Sequence, residues 1–345
     1  MRISSVTIFD QSISSLNRQQ GNFLEVSQQI ASGRRVVNPS DDPQAASRAV
    51  RVDQSKAVSQ QFADSRVSAR NSLAQTESVL NSVSDSVTRA KTLMIQASSD
   101  TLSDADRQSV ASELRGVYES VIGQANTTDG NGTHLFGGYK DSSEPFVRKT
   151  DNEGNEFVDY VGDSNAREQR IDSSRLMEVA KNGESIFQSV PSGAGYIAEA
   201  DSENAGTVKF GGPRVVDSGQ AASGGGFTIR LSDGEVNEAN IELTNLNDPS
   251  SIIDSDDYNV AATDEGVRVT YQGVSVDLEG AGEGAGTDRD KIDVAPADEM
   301  NTDLFKTFEK ALAVLETPAE TDQEQARLDN TLKTVMREFD NSLDN

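Results

Sequence analysis

Residues 44–98, "QAASRAVRVDQSKAVSQQFADSRVSARNSLAQTESVLNSVSDSVTRAKTLMIQAS", run for 55 residues without a Gly or a Pro. Phe62, Ala69, Leu73, Leu80, Val83, Val87, Ala90, Met94 and Ala97 recur at intervals of seven, or of four and three in alternation. That is the repeat of a helix with one apolar seam. At 1.5 Å rise per residue the helix would be ~80 Å long, against ~30 Å for a small domain. Helices of that length belong in rods, coiled coils or fibres.

The flanking segments extend the reading. Upstream, apolar residues at Phe9, Ile13, Leu16, Phe23 and Ile30 share one heptad frame, with Gln20 and Ser27 at its polar positions. So narrow a stripe, with Gly21 inside it, describes a helix that seeks a partner. The connection between the two helices, "SGRRVVNPSDDPQAASRA" at 32–49, is dense in helix punctuation. Gly33 suits the left-handed position that ends the first helix, and Arg34 and Arg35 suit its negative end. Asp42 before Pro43 makes an N-cap and first-turn pair for the second helix, with Ser40 as the competing cap. A third helix fits residues 103–126, with Ser103 as cap and Val110, Leu114, Val117, Val121 and Ile122 as its buried stripe.

Beyond Asn126 the texture changes. Residues 141–297 hold 19 of the 27 Gly, and short alternating runs replace the heptads. "EFVDYV", "GTVKF", "GFTIRL", "GVRVTYQGVSVDL" and "KIDVAP" read as strands, with "TDNEGNE" and "YQGVS" as turns. Helix returns at "MNTDLFKTFEKALAVLE", breaks at Pro318 and resumes to the end. The fold class is therefore α+β: a long-helix rod, a coiled-coil-like bundle, with an inserted antiparallel β domain. The expected boundaries are 1–137 for the N-terminal helical rod and 138–297 for an acidic β domain, as one unit or two joined near "PSGAGY". Residues 298–345 form a C-terminal helical segment packing on the rod.

Charge follows the same division. The chain carries a formal −26. Residues 1–140 hold 14 basic and 14 acidic residues, whereas 141–297 hold 12 and 31. Clustered phosphate-binding bases are lacking, so no nucleic-acid partner is expected. A balanced N-terminal segment suits packing against copies of itself or other protein. No apolar run is long enough to span a membrane, so no membrane partner is expected. "MRISSVTIFDQSISS" lacks the apolar stretch of a secretory signal, so the chain stays inside or leaves by a route that needs none.

Catalytic chemistry finds little purchase. There is no Cys and a single His, His134, which leaves neither a thiolate nucleophile nor the usual zinc ligands. His134 reads as a polar loop residue. "GAGEGAGTDRD" is one irregular copy of a calcium-repeat pattern, and "DNEGNEF" lacks the rest of a calcium loop. "GGG" at 224–226 opens no helix and precedes no Lys-Ser/Thr, so it is not a phosphate loop. No catalytic, cofactor-binding or metal residue is assigned, no cofactor is expected, and the chain is read as a non-enzyme.

Residue order adds what local physics does not. "LEVSQQIASGRRVVNPSDDPQAASRAV" closely resembles the start of the flagellar hook-associated protein 3 family, junction proteins between hook and filament in the flagellin-like group. The resemblance continues through "NTTDGNGTHLFGGYKDSSEPF" and thins at "GVSVDLEG" and "KIDVAP…LFKTFEKAL". It implies a structural axial protein of the bacterial flagellum onto which flagellin polymerises. The implied partners are neighbouring copies of the chain, the hook-side hook-associated protein, flagellin and an export chaperone. The implied location is extracellular, reached through the flagellar export apparatus without a cleaved signal peptide. The family continues past "LDNTLKTVMREFDNSLDN" with a helical tail that pairs with the N-terminal helix and binds the chaperone, whereas this chain stops at Asn345. A truncated form is therefore expected. The alternatives are a flagellin-type filament subunit and a carbohydrate-acting or carbohydrate-binding β domain on a coiled-coil stalk. The last needs a convergent polar cleft within 141–297.

Overall fold

The computed structural model describes residues 5–40, 42–99, 102–152, 154–191, 195–221, 225–232, 234, 236–264, 266–280 and 290–344. The chain divides into two compact units. One comprises residues up to Ser68 with Arg170–Leu176, the other Ala69–Gln169 with Met177 onward.

The first unit contains helix α1 (Ser5–Ser32) and the first half of helix α2 (Pro43–Ala97). Gly33 ends α1 in the left-handed region at φ +65°, donating its N–H to Ile30 O at 3.4 Å. Asp42, rather than Ser40, caps α2 by accepting the Ala45 N–H at 2.9 Å. Arg35 departs from expectation. It reaches forward to the Asp42 carboxylate at 2.9 Å, and no basic residue lies in the last turn of α1. A segment at 170–176 completes the unit: Arg66 Nη1 donates to Ile171 O at 3.0 Å, and Ile171 is buried.

In the second unit α2 continues from Ala69 and is followed by helix α3 (Asp104–Ala125). Ser103 caps α3 in a reciprocal capping box with Asp106. Its buried stripe holds Val110, Leu114 and Val121 as expected, but Tyr118 and Ala125 fill the places expected of Val117 and Ile122, which are half-buried. The hairpin β1 (Phe146–Thr150) and β2 (Glu156–Tyr160) follows, then β3 (Arg167–Arg170), β4 (Leu176–Ala180) and the helical turn α4 (Glu184–Phe187).

A two-sheet sandwich comes next. Its first strands are β5 (Tyr196–Ala200), β6 (Lys209–Phe210) and β7 (Arg214–Val215), followed by the turn α5 (Ser218–Ala221). Then come β8 (Phe227–Leu231), β9 (Ile241–Asn245) and β10 (Asp248–Ile252). The rest are β11 (Tyr258–Ala262), β12 (Gly266–Tyr271), β13 (Val274–Glu279) and β14 (Lys291–Pro296). One antiparallel sheet runs β10-β9-β8-β14-β5 and the other β11-β12-β13-β6, with β7 also on β13. Alternate residues of both sheets, among them Ile229, Leu243, Ile292, Val269, Val276 and Leu278, meet in one apolar core. "GTVKF" supplies only the two-residue β6, because its Lys209 and Phe210 pair with the end of β13.

Helices α6 (Leu304–Glu316) and α7 (Asp322–Leu343) pack with α2 and α3 around a second core. Asp303 caps α6, accepting from the Phe305 N–H at 2.8 Å and from Gln188 Nε2 at 2.7 Å. Phe136, Phe146, Phe187, Phe305, Phe308 and Phe339 link the hairpin β1–β2, α4 and the helices through ring contacts of 4.9–5.8 Å. Helix α7 also lies along β5 and β6, the edge strands of the two sheets. Thr334 Oγ1 donates to Ala198 O at 2.7 Å. Asn330 accepts the Phe210 N–H at 3.0 Å and donates to Val208 O at 2.8 Å. Edge strands left with open backbone groups invite pairing with other chains, and α7 covers this side.

Candidate assembly surface

Helix α1 carries the feature with no intramolecular explanation. Among the described residues 7–68 none is buried. Phe9 is 64% exposed, Leu16 59%, Phe23 72% and Ile30 77%, values that belong to surface lysines rather than to a packed seam. Ile8, Leu24 and Val26 widen the stripe beyond the heptad positions read from the sequence. Only Asp10, Arg18 and Glu25 are charged in the whole of α1. Fully covering a large aliphatic or aromatic side chain contributes roughly 1.5–3 kcal/mol. Phe9, Leu16, Phe23 and Ile30, about two-thirds exposed on average, therefore hold a gain of roughly 4–8 kcal/mol that folding leaves unused.

The first half of α2 repeats the pattern. Val50, Val52, Val58 and Val67 are exposed, and sequence reasoning missed them because they lie off the seam of the long frame. Along the seam Ala69, Val83, Val87, Ala90, Met94 and Ala97 are buried, Phe62 and Leu80 are half-buried, and Leu73 stays exposed. The connection is held by the Asp42 cap and its pair with Arg35. The Ala45 N–H, and then the Arg35 guanidinium, hold the Asp42 carboxyl below the usual carboxylate range. The α1 surface is apolar, weakly charged and helical. Its chemistry is that of packing against other helices.

The residues weighed for catalysis take structural positions. His134 Nδ1 lies 2.8 Å from Asn126 O, and the His134 main-chain N–H donates to Asp141 O at 2.8 Å. The Asn126 side-chain amide in turn brackets Phe146, donating to its main-chain O at 2.8 Å and accepting its N–H at 3.0 Å. In "DNEGNEF", Asp151 accepts the Asn155 N–H at 2.9 Å in a turn between β1 and β2, and Glu153 lies outside the described residues. Most of "GAGEGAGTDRD", residues 281–289, also lies outside them, as does Gly224. Among the described residues no three His, Asp or Glu side chains are grouped to hold a metal ion. No helix there is long and apolar enough to cross a membrane.

Comparison with known proteins places this geometry. Residues 3–141 match the family model described as the bacterial flagellin N-terminal helical region. Flagellar hook-associated protein 3 of Escherichia coli is 35% identical over 245 residues, covering 71% of this chain and 74% of that protein. Its Salmonella typhimurium counterpart is 37% identical over 194 residues, covering 56% of this chain and 59% of that protein. The crystal structure of Xanthomonas campestris FlgL aligns with a TM-score of 0.69 at 23% identity, covering 84% of this chain and 88% of that one. The flagellar junction protein FlgL from Legionella pneumophila aligns with a TM-score of 0.66 at 23% identity, covering 88% and 89%. At these identities the two structures speak to the fold alone. The α+β architecture of a long N-terminal helix region with antiparallel sheets is common to them and to this chain.

Proposed function

Because the chain belongs to the flagellar hook-associated protein 3 family, we propose that it is a structural adaptor at the hook–filament junction, onto which flagellin polymerises. The observation that carries the mechanism is the uncovered apolar face of α1 and early α2. A helix of this length without buried contacts gains little from propensity alone and becomes firm only against partners. Neighbouring copies of the chain, the hook-side hook-associated protein and flagellin would supply those partners, and an export chaperone would bind the family's C-terminal helical tail beforehand. The chain would leave the cell through the flagellar export apparatus without a cleaved signal peptide. It would work by surface complementarity, with no chemical step. The flagellin-type reading has the weaker support, since both curated relatives carry the hook-associated name. Electron microscopy of cells lacking this chain tests the proposal. Hooks without filaments, with flagellin free in the medium, are expected; filaments of normal number and length would overturn it.

A further inference from the structure

A row of polar side chains crosses the outer face of the sheet that contains β5 and ends beneath α6 and α7. Register places Thr244, Thr228, Asp293 and Glu199 opposite one another on four successive strands. Thr228 Oγ1 donates to Asp293 at 2.6 Å. From Glu199 the row passes to the helices: Lys310 Nζ lies 2.6 Å from Glu199 and 3.0 Å from Glu338, and Thr307 Oγ1 donates to Glu338 at 2.9 Å. Glu338 is only 2% exposed, and Thr307 1%.

Charge does not balance along this row. Glu338, facing it from α7, and Glu199, on β5, share the one ammonium of Lys310 on α6. Asp293 on β14 faces Lys291 on its own strand, Glu199, and Asp201 just beyond β5, and Lys291 is itself 3.9 Å from Asp201. At the buried end two carboxylates thus share one ammonium; Asp293, Asp201 and Lys291, with Arg230 on β8 and Glu242 on β9 beside them on the same face, are partly exposed. A second observation stands at the far end: Thr244 is fully buried, and among the described residues its Oγ1 has no hydrogen-bond partner. A buried network whose charge is uncompensated is costly unless it is neutralised. A proton is the ligand small enough to do so.

We propose that this row is a proton-binding site that fastens the sheet to α6 and α7, with Glu338 as its principal acceptor. A protonated Glu338 keeps the Thr307 and Lys310 contacts and leaves Lys310 to pair with Glu199 undivided. Burial, the leading cause, pushes the carboxyls of both Glu338 and Asp293 above their usual range. The sign follows. A carboxyl whose folded pKa exceeds its unfolded value contributes stability that is complete below the unfolded value, near ~4.3 for Glu. That contribution is lost as pH rises through the folded pKa. The attachment of sheet to helices is therefore tighter in mild acid than at neutral pH.

Two measurements on the whole chain test this. Thermal unfolding of wild type and Glu338→Gln is compared from pH 8 to pH 5. Gln keeps the shape and hydrogen bonds of the protonated acid, so the variant should equal or exceed wild type at pH 8. Wild type should gain on it steadily toward pH 5. Parallel curves with the variant below wild type at every pH would overturn the proposal. Carboxyl-carbon NMR of Glu338 in the wild-type chain reads the same site without a substitution. Titration above the ordinary glutamate range is expected, and a midpoint at or below that range would overturn it.

Discussion

Asn330 shows how one side chain joins two parts of this molecule. It is 4% exposed, and its amide meets a main-chain donor and a main-chain acceptor of the strand segment at 208–210. Replacing it by Ala leaves two buried backbone groups unpaired, at about 1–3 kcal/mol each. Asn330→Ala should therefore lose about 2–6 kcal/mol in a denaturant titration of the whole chain. A loss well under 1 kcal/mol would mean that water or strand movement replaces both bonds. Residue-scale detail also explains the turn in "LFGGYK". Gly138 has φ +62°, and a Cβ there would stand 2.3 Å from Asp163 O, so no other residue fits. That Gly was visible in the sequence. Its reason was not, because Asp163 approaches from 25 positions away through the turn after β2.

At the scale of elements, helices were easier to read than strands. The second helix was expected at 44–98 and is Pro43–Ala97, and the Ser103 cap is where Ser, Asp and Asp place it. Local signals decide these ends: a cap bonds within three residues, and a seam repeats along one element. Strands such as β10, "DPSSI", offer no alternation and are exposed throughout, so only pairing with β9 makes them strands. The α7 contacts with β5 and β6 were equally hidden, since Asn330 and Thr334 look like ordinary polar positions of a helix. The partner-seeking stripe of α1 was legible because its apolar frame is local. The exposed valines of α2 were not, because whether they find cover depends on tertiary placement. Exposure gives α1 a measurable property. In dilute solution its amides should exchange quickly, while those of Val83–Ala97 and Leu332–Phe339, within the second core, should exchange slowly. Comparable protection of residues 9–30 would show that α1 already has a partner within the chain.

For the whole molecule, the buried cores and the open apolar helical face reside in different places. The second unit holds both apolar cores, and the first holds long helices with their apolar faces open. This separation means that the α1 surface can be altered without touching the cores. Phe23→Asp with Ile30→Asp provides the most direct test, because both side chains are more than two-thirds exposed. The doubly substituted chain is expressed in cells lacking the wild-type copy, its melting curve is compared with wild type, and flagella are imaged. An unchanged melting curve, the chain recovered from the culture medium, and hooks that carry no filaments are the predicted result. Filaments of normal number and length on those hooks would contradict the claim that the open face of α1 is what the junction is assembled from.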